Sequence, residues 1–280
     1  MEIKNKITLR DGNFGGRDII NMPGVNFSWC TDEYGTGRNT CDAIVSEHVF
    51  FTDTKLQDVD SSKYSNVKKV AWLLEPKGID PDIYDWILKN YHKFDNVLTF
   101  DREIISQIDN GLFQPYGTYW VEKDSPVKSR SVSMIASYKN EATGHKIRHS
   151  IYNHFKDRID TFGTITGNRL ANKDTGLKDF RFSFAVENCI QDGYFTEKIL
   201  DCFATKTIPV YWGTRSVGEF FNSDGIIFID DFNSIEGVIN YLSEDVYNSK
   251  LEAIEDNFNK IDDYHIPELY IEKNYKYLLH

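Results

Sequence analysis

"FRFSFAVENCIQDGYFTEKILDCFATKTIPVYWG" occupies residues 180–213. Its opening run of aromatics, 180–186, reads as a strand that ends at Val186, so Glu187 and Asn188 stand at its carboxyl end. Thr196 is a suitable N-cap for a helix beginning at Glu197, and "TIPVYWG" (207–213) returns as a second strand. Strand, helix and strand in this order imply a parallel pair with the helix on one face. Glu197 and Lys198 then fall in the first helical turn, beside the strand ends. Unpaired N–H groups and the positive end of the helix dipole suit an anion such as a phosphate there. Lys198 adds a full charge, while Glu197 is better used accepting hydrogen bonds from hydroxyls, such as those of a ribose. The competing reading is an ordinary solvated helix start, with Glu favoured by the dipole and Lys merely exposed.

Outward from this stretch the same rhythm continues. Strands are expected at "VKKVAWLL" (67–74), "NVLTFD" (96–101), "SVSMIAS" (131–137) and "GIIFID" (225–230). Helices are expected over "DPDIYDWILKNYHKF", with Asp80 as cap and Pro81 at the first helical position, over "HKIRHSIYNHFKD" (145–157), and around 233–243 and 247–260. The periodicity is interrupted in "FQPYGTYWVEKDSPVKSR" (113–130), where turn formers and charges cluster. The expected class is α/β, with two αβα domains, 1–125 and 126–280, facing each other across a cleft. Open parallel sheets bind ligands beyond the carboxyl ends of their strands, so the functional residues are expected there.

Arg148, in "GHKIRHSIYNHF", projects from the first turns of its helix at the same sheet edge as Lys198, where a guanidinium can fork onto a diphosphate; an exposed helix arginine is the plainer alternative. His145 and His149 share a helix face, but Lys-Ile-Arg between them supplies no carboxylate, which argues against a metal. Glu75 follows the apolar "VAWLL" and precedes Pro76 and Gly78, a position suited to a general base, or else to an exposed loop. "DVD" (58–60) has the form of a metal-binding Asp-x-Asp but lies in a polar run without a leading strand. "DGNFGG" (11–16) lacks the Gly-Lys-Ser/Thr ending of a P-loop and reads as a turn. Asn26 in "NFS" fits a glycosylation sequon, but a chain without a signal peptide is not expected to meet the machinery that uses it, and no hydrolase signature of the G-x-S-x-G type occurs.

Composition limits the partners. In 280 residues, 40% are hydrophobic and 27% charged, with a formal net charge of −11, a balance that argues against nucleic acid or an anionic membrane, since both polyanions require a basic face. The N-terminus lacks the apolar core of a signal peptide, and no run approaches the ~20 apolar residues of a membrane span. A soluble, cytoplasmic protein without stable membrane insertion is the expectation. Cys30, Cys41, Cys189 and Cys202 show no CxxC spacing and read as reduced thiols rather than zinc ligands or a disulfide framework. Nothing in the sequence fixes an oligomeric state.

The 180–213 stretch resembles the donor-binding signature of the α-1,3/4-fucosyltransferase family (glycosyltransferase family 10). In that family a strand of aromatics ends in Glu-Asn, a short loop leads to Tyr-x-Thr-Glu-Lys, and an Ile/Val-Pro-Val/Ile strand ends near a glycine. The match runs through Glu187, Asn188, Tyr194, Thr196, Glu197, Lys198, Pro209 and Gly213, and weakens toward the N-terminus. The resemblance implies a GT-B architecture, with GDP-fucose bound by the C-terminal domain and a glycan acceptor mainly by the N-terminal one. It gives Arg148 and Lys198 the diphosphate, Tyr194 a phosphate contact, Glu197 the ribose hydroxyls and Asn188 a place beside the donor. It makes Glu75 the base in an inverting transfer of L-fucose to a glycan hydroxyl that needs no metal or other cofactor. Arg215 departs from the pattern in the loop after "YWG", where a small residue is expected. A GT-B enzyme of the same lineage using another nucleotide sugar, or a catalytically silent glycan- or nucleotide-binding protein, are the alternatives.

Overall fold

The structure is a computed structural model that describes residues 5–10, 24–30 and 44–279. The chain divides into two compact units, Met1–Tyr116 with Pro267–His280, and Gly117–Ile266.

Among the described residues, the first unit is built on a sheet of six parallel strands. These are β1 (Asn5–Arg10), β2 (Phe27–Cys30), β3 (His48–Thr52), β4 (Lys68–Trp72), β5 (Asn96–Thr99) and β6 (Gly111–Phe113), in the order β2-β1-β3-β4-β5-β6. The expected helix forms as α1 (Pro81–Asn90), and the Asp80 carboxylate accepts from the Ile83 amide at 3.3 Å. Its apolar residues Ile83, Tyr84 and Ile87 join Val49, Phe51, Ala71 and Val97 in one core. A short helix, α2 (Arg102–Gln107), follows β5, with Asp101 capping through the Glu103 and Ile104 amides.

The second unit carries a five-stranded parallel sheet. Its strands are β7 (Arg130–Ile135), β8 (Asp160–Phe162), β9 (Phe180–Val186), β10 (Ile208–Trp212) and β11 (Ile227–Phe228), in the order β11-β10-β9-β7-β8. Five helices belong to it: α3 (Thr143–Phe155), α4 (Glu197–Ala204), α5 (Ile235–Tyr241), α6 (Glu244–Asn248) and α7 (Leu251–Lys260). Alternation along β9 sends Phe182, Phe184 and Val186 into the core shared with α3 and α5, and Ala185 into the core shared with α4. A strand covered on both faces must be apolar almost throughout, which is why "FRFSFAV" is legible as one.

The division differs from the boundary expected near residue 125 at both ends. Residues 117–124 join the second unit because the Trp120 amide donates to the Asp201 carboxylate (2.6 Å) and the Asp124 amide to the Ala204 carbonyl (3.0 Å). The last residues, including α8 (Glu268–Asn274), join the first unit. There the Trp29 indole N–H donates to the buried Glu268 carboxylate (2.9 Å), Gln114 to the Pro267 carbonyl (2.9 Å) and the Tyr275 hydroxyl to the Phe113 carbonyl (2.6 Å). Such long-range polar ties leave no periodic trace in sequence. Cys30 is disulfide-bonded, while Cys189 and Cys202 keep their thiols. The expectation of reduced thiols therefore fails at Cys30, because spacing along the chain does not report which cysteines the fold brings within bonding distance.

At the amino-terminal side of the second sheet Lys128 is buried. Its Nζ donates to the carbonyls of Thr205 (2.6 Å), Lys178 (2.9 Å) and Leu177 (3.4 Å) and to the Thr207 hydroxyl (2.9 Å), tying three loops together. Burial pushes its pKa down to about 7, against the opposing pull of Cys202, Asp179 and Asp124. The unfolded chain therefore holds this proton to higher pH than the folded one, so Lys128 makes stability rise as pH climbs above about 7 toward the ordinary lysine range. Urea denaturation of wild type and Lys128→Met at pH 7 and pH 9 is expected to show the wild type gaining on the variant by up to ~1.4 kcal/mol per pH unit.

Candidate functional site

The carboxyl ends of β7 and β9 and the first turns of α3 and α4 form one cavity of about 310 Å³, lined by residues of the second unit. This volume is at the lower end of the ~300–1,000 Å³ typical of small-ligand pockets. Arg148, Glu197 and Lys198 all line it, as the sequence suggested, together with Trp120, Arg169, Lys173 and Asp201.

Glycine brings α3 close enough to act. A β-carbon at Gly144 would lie 1.6 Å from the Glu187 carbonyl oxygen and 2.8 Å from its carbon, and the Gly144 amide donates to the Asn188 carbonyl at 2.9 Å. One turn on, Arg148 donates through Nε (3.0 Å) and Nη2 (2.7 Å) to the Val186 carbonyl and through Nη2 (2.8 Å) to Asn188 Oδ1. Arg148 is 6% exposed. The reading of Arg148 as a plain exposed helix arginine is thereby excluded. Burial lowers its pKa, opposed by the charges of Glu187, Glu197 and Tyr194, and an arginine so lowered is still a cation at neutral pH.

Helix α4 is not a solvated helix either. Every residue from Glu197 to Ala204 is buried except Lys198. Thr196 caps it, with its hydroxyl oxygen 3.4 Å from the Lys198 amide. Lys198 Nζ donates to Thr196 Oγ1 (2.9 Å) and Glu197 Oε1 (3.3 Å) and lies 3.4 Å from Glu187 Oε2. Burial works to raise the Glu197 pKa, but the charges of Lys198 and Lys173 outweigh it and hold the carboxyl down at about 2. Glu197 is thus an acceptor at any physiological pH.

Lys173, Asp201 and Trp120 were not anticipated from sequence. Lys173 Nζ binds Asp201 Oδ2 (2.8 Å), approaches Glu197 Oε1 (3.7 Å) and sits 4.3 Å from the centre of the Trp120 ring. Desolvation opposes the Lys173 charge, yet Glu197 and Asp201 raise its pKa. The signal for Asp201 was its place four residues after Glu197, on the same helix face; Lys173 lies on an irregular 3₁₀ turn, Lys173–Gly176, which carries no periodic signal.

The remaining candidates are more scattered. Asn188 is bound to Arg148, as above. Tyr194 is buried, 2% exposed, and is not among the residues that line the cavity. Glu75 belongs to the first unit, where Leu73 and Leu74 separate it from β4. Its amide donates to Asp53 Oδ1 at 3.3 Å and its carbonyl accepts from the Tyr84 hydroxyl at 3.0 Å. Asp53 itself is buried with φ +42°, a left-handed conformation that an aspartate tolerates better than most side chains. Arg215 donates to Asp230 Oδ1 at 2.6 Å and stacks on Phe228.

The metal-like patterns are otherwise employed. Asp58 pairs with Arg10 (3.0 Å) and Asp60 with Lys93 (2.6 Å). His145 Nδ1 accepts from the Ala142 amide (3.1 Å), and His149 Nε2 lies 3.1–3.2 Å from the carbonyls of Lys139 and Tyr138. No cluster of three or more His, Cys, Asp or Glu side chains placed to hold a metal occurs among the described residues. Nor is any described helix long and apolar enough to cross a membrane. The glycine-rich 11–16 stretch lies outside the described residues.

Residues 125–272, which contain the strand ends and helix starts that build this cavity, match the family model of the C-terminal part of glycosyltransferase family 10 (fucosyltransferase). The chain belongs to that family. It is 30% identical over 130 residues to the α-(1,3)-fucosyltransferase FucT of Helicobacter pylori, covering 43% of this chain and 26% of that one. To the 4-galactosyl-N-acetylglucosaminide 3-α-L-fucosyltransferase 9 of Homo sapiens it is 25% identical over 235 residues, 75% of this chain and 63% of that one. The chain thus spans between about a quarter and two thirds of the length of these relatives. Among solved structures, an α1,3-fucosyltransferase with GDP superposes with a TM-score of 0.59 at 18% identity, over 99% of this chain and 91% of that one. The fold is therefore of the GT-B class, with a parallel-sheet α/β unit in each half.

The close approach at Gly144 supplies a direct test of this geometry. Gly144→Ala forces α3 off the end of β9, and thermal unfolding is expected to show a loss of about 1–3 kcal/mol, the usual cost of overpacking.

Proposed function

We propose that this family 10 member is an inverting fucosyltransferase that takes L-fucose from GDP-fucose and places it on a glycan hydroxyl as an α-1,3/4-fucoside. The observation that carries the reading is the charge of the cavity. Arg148, Arg169, Lys173 and Lys198 line it against two carboxylates, Glu197 and Asp201, an excess of two positive charges in a chain of net charge −11. Such an excess, beside a helix N-terminus, suits the diphosphate of a nucleotide sugar.

In this reading Arg148 and Lys198 hold the diphosphate, Glu197 accepts from the ribose hydroxyls, Tyr194 takes a phosphate contact and Asn188 a place beside the donor. Glu75 takes the proton of the acceptor hydroxyl as that oxygen attacks the anomeric carbon from the face opposite GDP. The bond from the anomeric carbon to the phosphate oxygen breaks, and its electron pair leaves on the diphosphate. Arg148, Lys198 and the first N–H groups of α4 balance the developing charge there, so the transfer is expected to proceed without a metal.

Calorimetric titration with GDP, GDP-fucose, GDP-mannose and UDP-sugars, all in EDTA, tests the donor. Binding of GDP and GDP-fucose, with UDP-sugars excluded, is the expected result; preference for another nucleotide sugar overturns it. Arg148→Ala and Lys198→Ala are each expected to weaken GDP binding by about 10–100-fold, the value of a charged hydrogen bond. Glu75→Ala is expected to leave GDP binding intact while abolishing turnover, and a Glu75→Ala enzyme with wild-type turnover rules out this base.

A further inference from the structure

Glu187 does not line the cavity, yet it is a fully buried carboxylate, 0% exposed. Placing a carboxylate out of water is unfavourable unless its oxygens are fully used. Glu187 uses both of them on the start of α4. Oε1 accepts from the Thr196 amide (2.8 Å) and Oε2 from the Thr196 hydroxyl (2.7 Å), while Lys198 Nζ lies 3.4 Å from Oε2.

The direction of these bonds matters. A hydroxyl has one proton, and Glu187, an acceptor when ionised, claims that of Thr196. Thr196 Oγ1 is then restricted to accepting, and the donors within reach are Lys198 Nζ at 2.9 Å and the Lys198 amide at 3.4 Å. The proton order therefore runs one way, from Lys198 to Thr196 to Glu187. The carboxylate itself cannot drift, because the backbone of the same residue is held by its amide on the Trp212 carbonyl (2.9 Å) and by the contact at Gly144.

We propose that Glu187 is a positioning residue for donor binding: by fixing the proton of the Thr196 hydroxyl it turns Thr196 into a dedicated acceptor for Lys198 and holds that ammonium ready for the diphosphate. The proposal rests on the reading of Lys198 as a diphosphate ligand. Glu187 acts through Lys198 and touches no substrate.

A double-mutant cycle on GDP affinity tests it, with Glu187→Gln, Lys198→Ala and the double variant compared with wild type, and thermal melting measured on each. Glutamine replaces one acceptor by an N–H₂ donor and removes the charge. Glu187→Gln is expected to weaken GDP binding about tenfold, the scale of one lost charge-assisted hydrogen bond, and the double variant is expected to bind no more weakly than Lys198→Ala alone. Independent effects that multiply in the double variant overturn the proposal, because a residue that merely supports the fold gives additive losses. Thr196→Ser and Thr196→Val provide the same test should Glu187→Gln fail to fold. Serine keeps the hydroxyl and is expected to retain wild-type affinity; valine is expected to lose what Glu187→Gln loses, again with no further loss when combined with Lys198→Ala. Equal affinities for the serine and valine variants refute the relay. Should Lys198→Ala bind GDP as wild type does, the donor reading itself falls, whereas a weakened Lys198→Ala with a multiplicative double variant removes the role of Glu187 alone.

Discussion

Helix α3 and strand β9 meet at a point where no β-carbon fits, and the chemistry of the second unit follows from that contact. With Gly144 against the Glu187 carbonyl, Arg148 one turn later reaches the Val186 carbonyl with both Nε and Nη2. A guanidinium held by a backbone carbonyl and a side-chain amide oxygen needs no carboxylate partner to be buried, so its charge is not cancelled by an ion pair of its own. An exposed arginine on a mobile side chain has to be ordered when an anion arrives; one fixed in this way has already met that entropy cost during folding.

The same economy appears around α4. Its first turn carries an acid and a base in adjacent positions, which on a surface helix would be unremarkable. Burial changes their meaning. Inside the unit, Lys198 and Lys173 hold Glu197 ionised, and Asp201 binds Lys173 on one side and the Trp120 amide on the other. The alternation of charges, Lys198 to Glu197 to Lys173 to Asp201, allows several ionised groups to share a small volume, since each has an opposite neighbour within 4 Å. It also anchors the segment 117–124 to the second unit, so the site and the division of the chain depend on the same side chains.

The elements that positioned the site were legible because their constraints are local. Strand β9 runs over the residues expected, since burial on both faces demands a largely apolar run, and α1 begins after Asp80 and at Pro81 because capping and proline geometry operate within one turn. The strands β1, β2, β3 and β6 of the first unit were not expected from periodicity; β2 and β6 are four and three residues long, too short to show a period. Lys173 and Glu187 were hidden for a different reason. Glu187 reads in sequence as a polar residue ending a strand, and nothing near it says that its carboxylate turns inward to Thr196 rather than outward to a ligand.

Sequence by itself determined the alternation of strands and helices, the family signature from Glu187 to Gly213, and the placing of Arg148 and Lys198 at helix starts beside strand ends. These are matters of period, capping and motif, which short-range backbone sterics and hydrogen bonding fix within a few residues. Tertiary structure decided which polar groups are buried, which ions pair, that Cys30 is disulfide-bonded, and that the last residues belong with the first unit. Those outcomes depend on groups far apart in the chain being brought within about 3 Å, the range at which hydrogen bonds form, and on the withdrawal of water that makes each such contact strong.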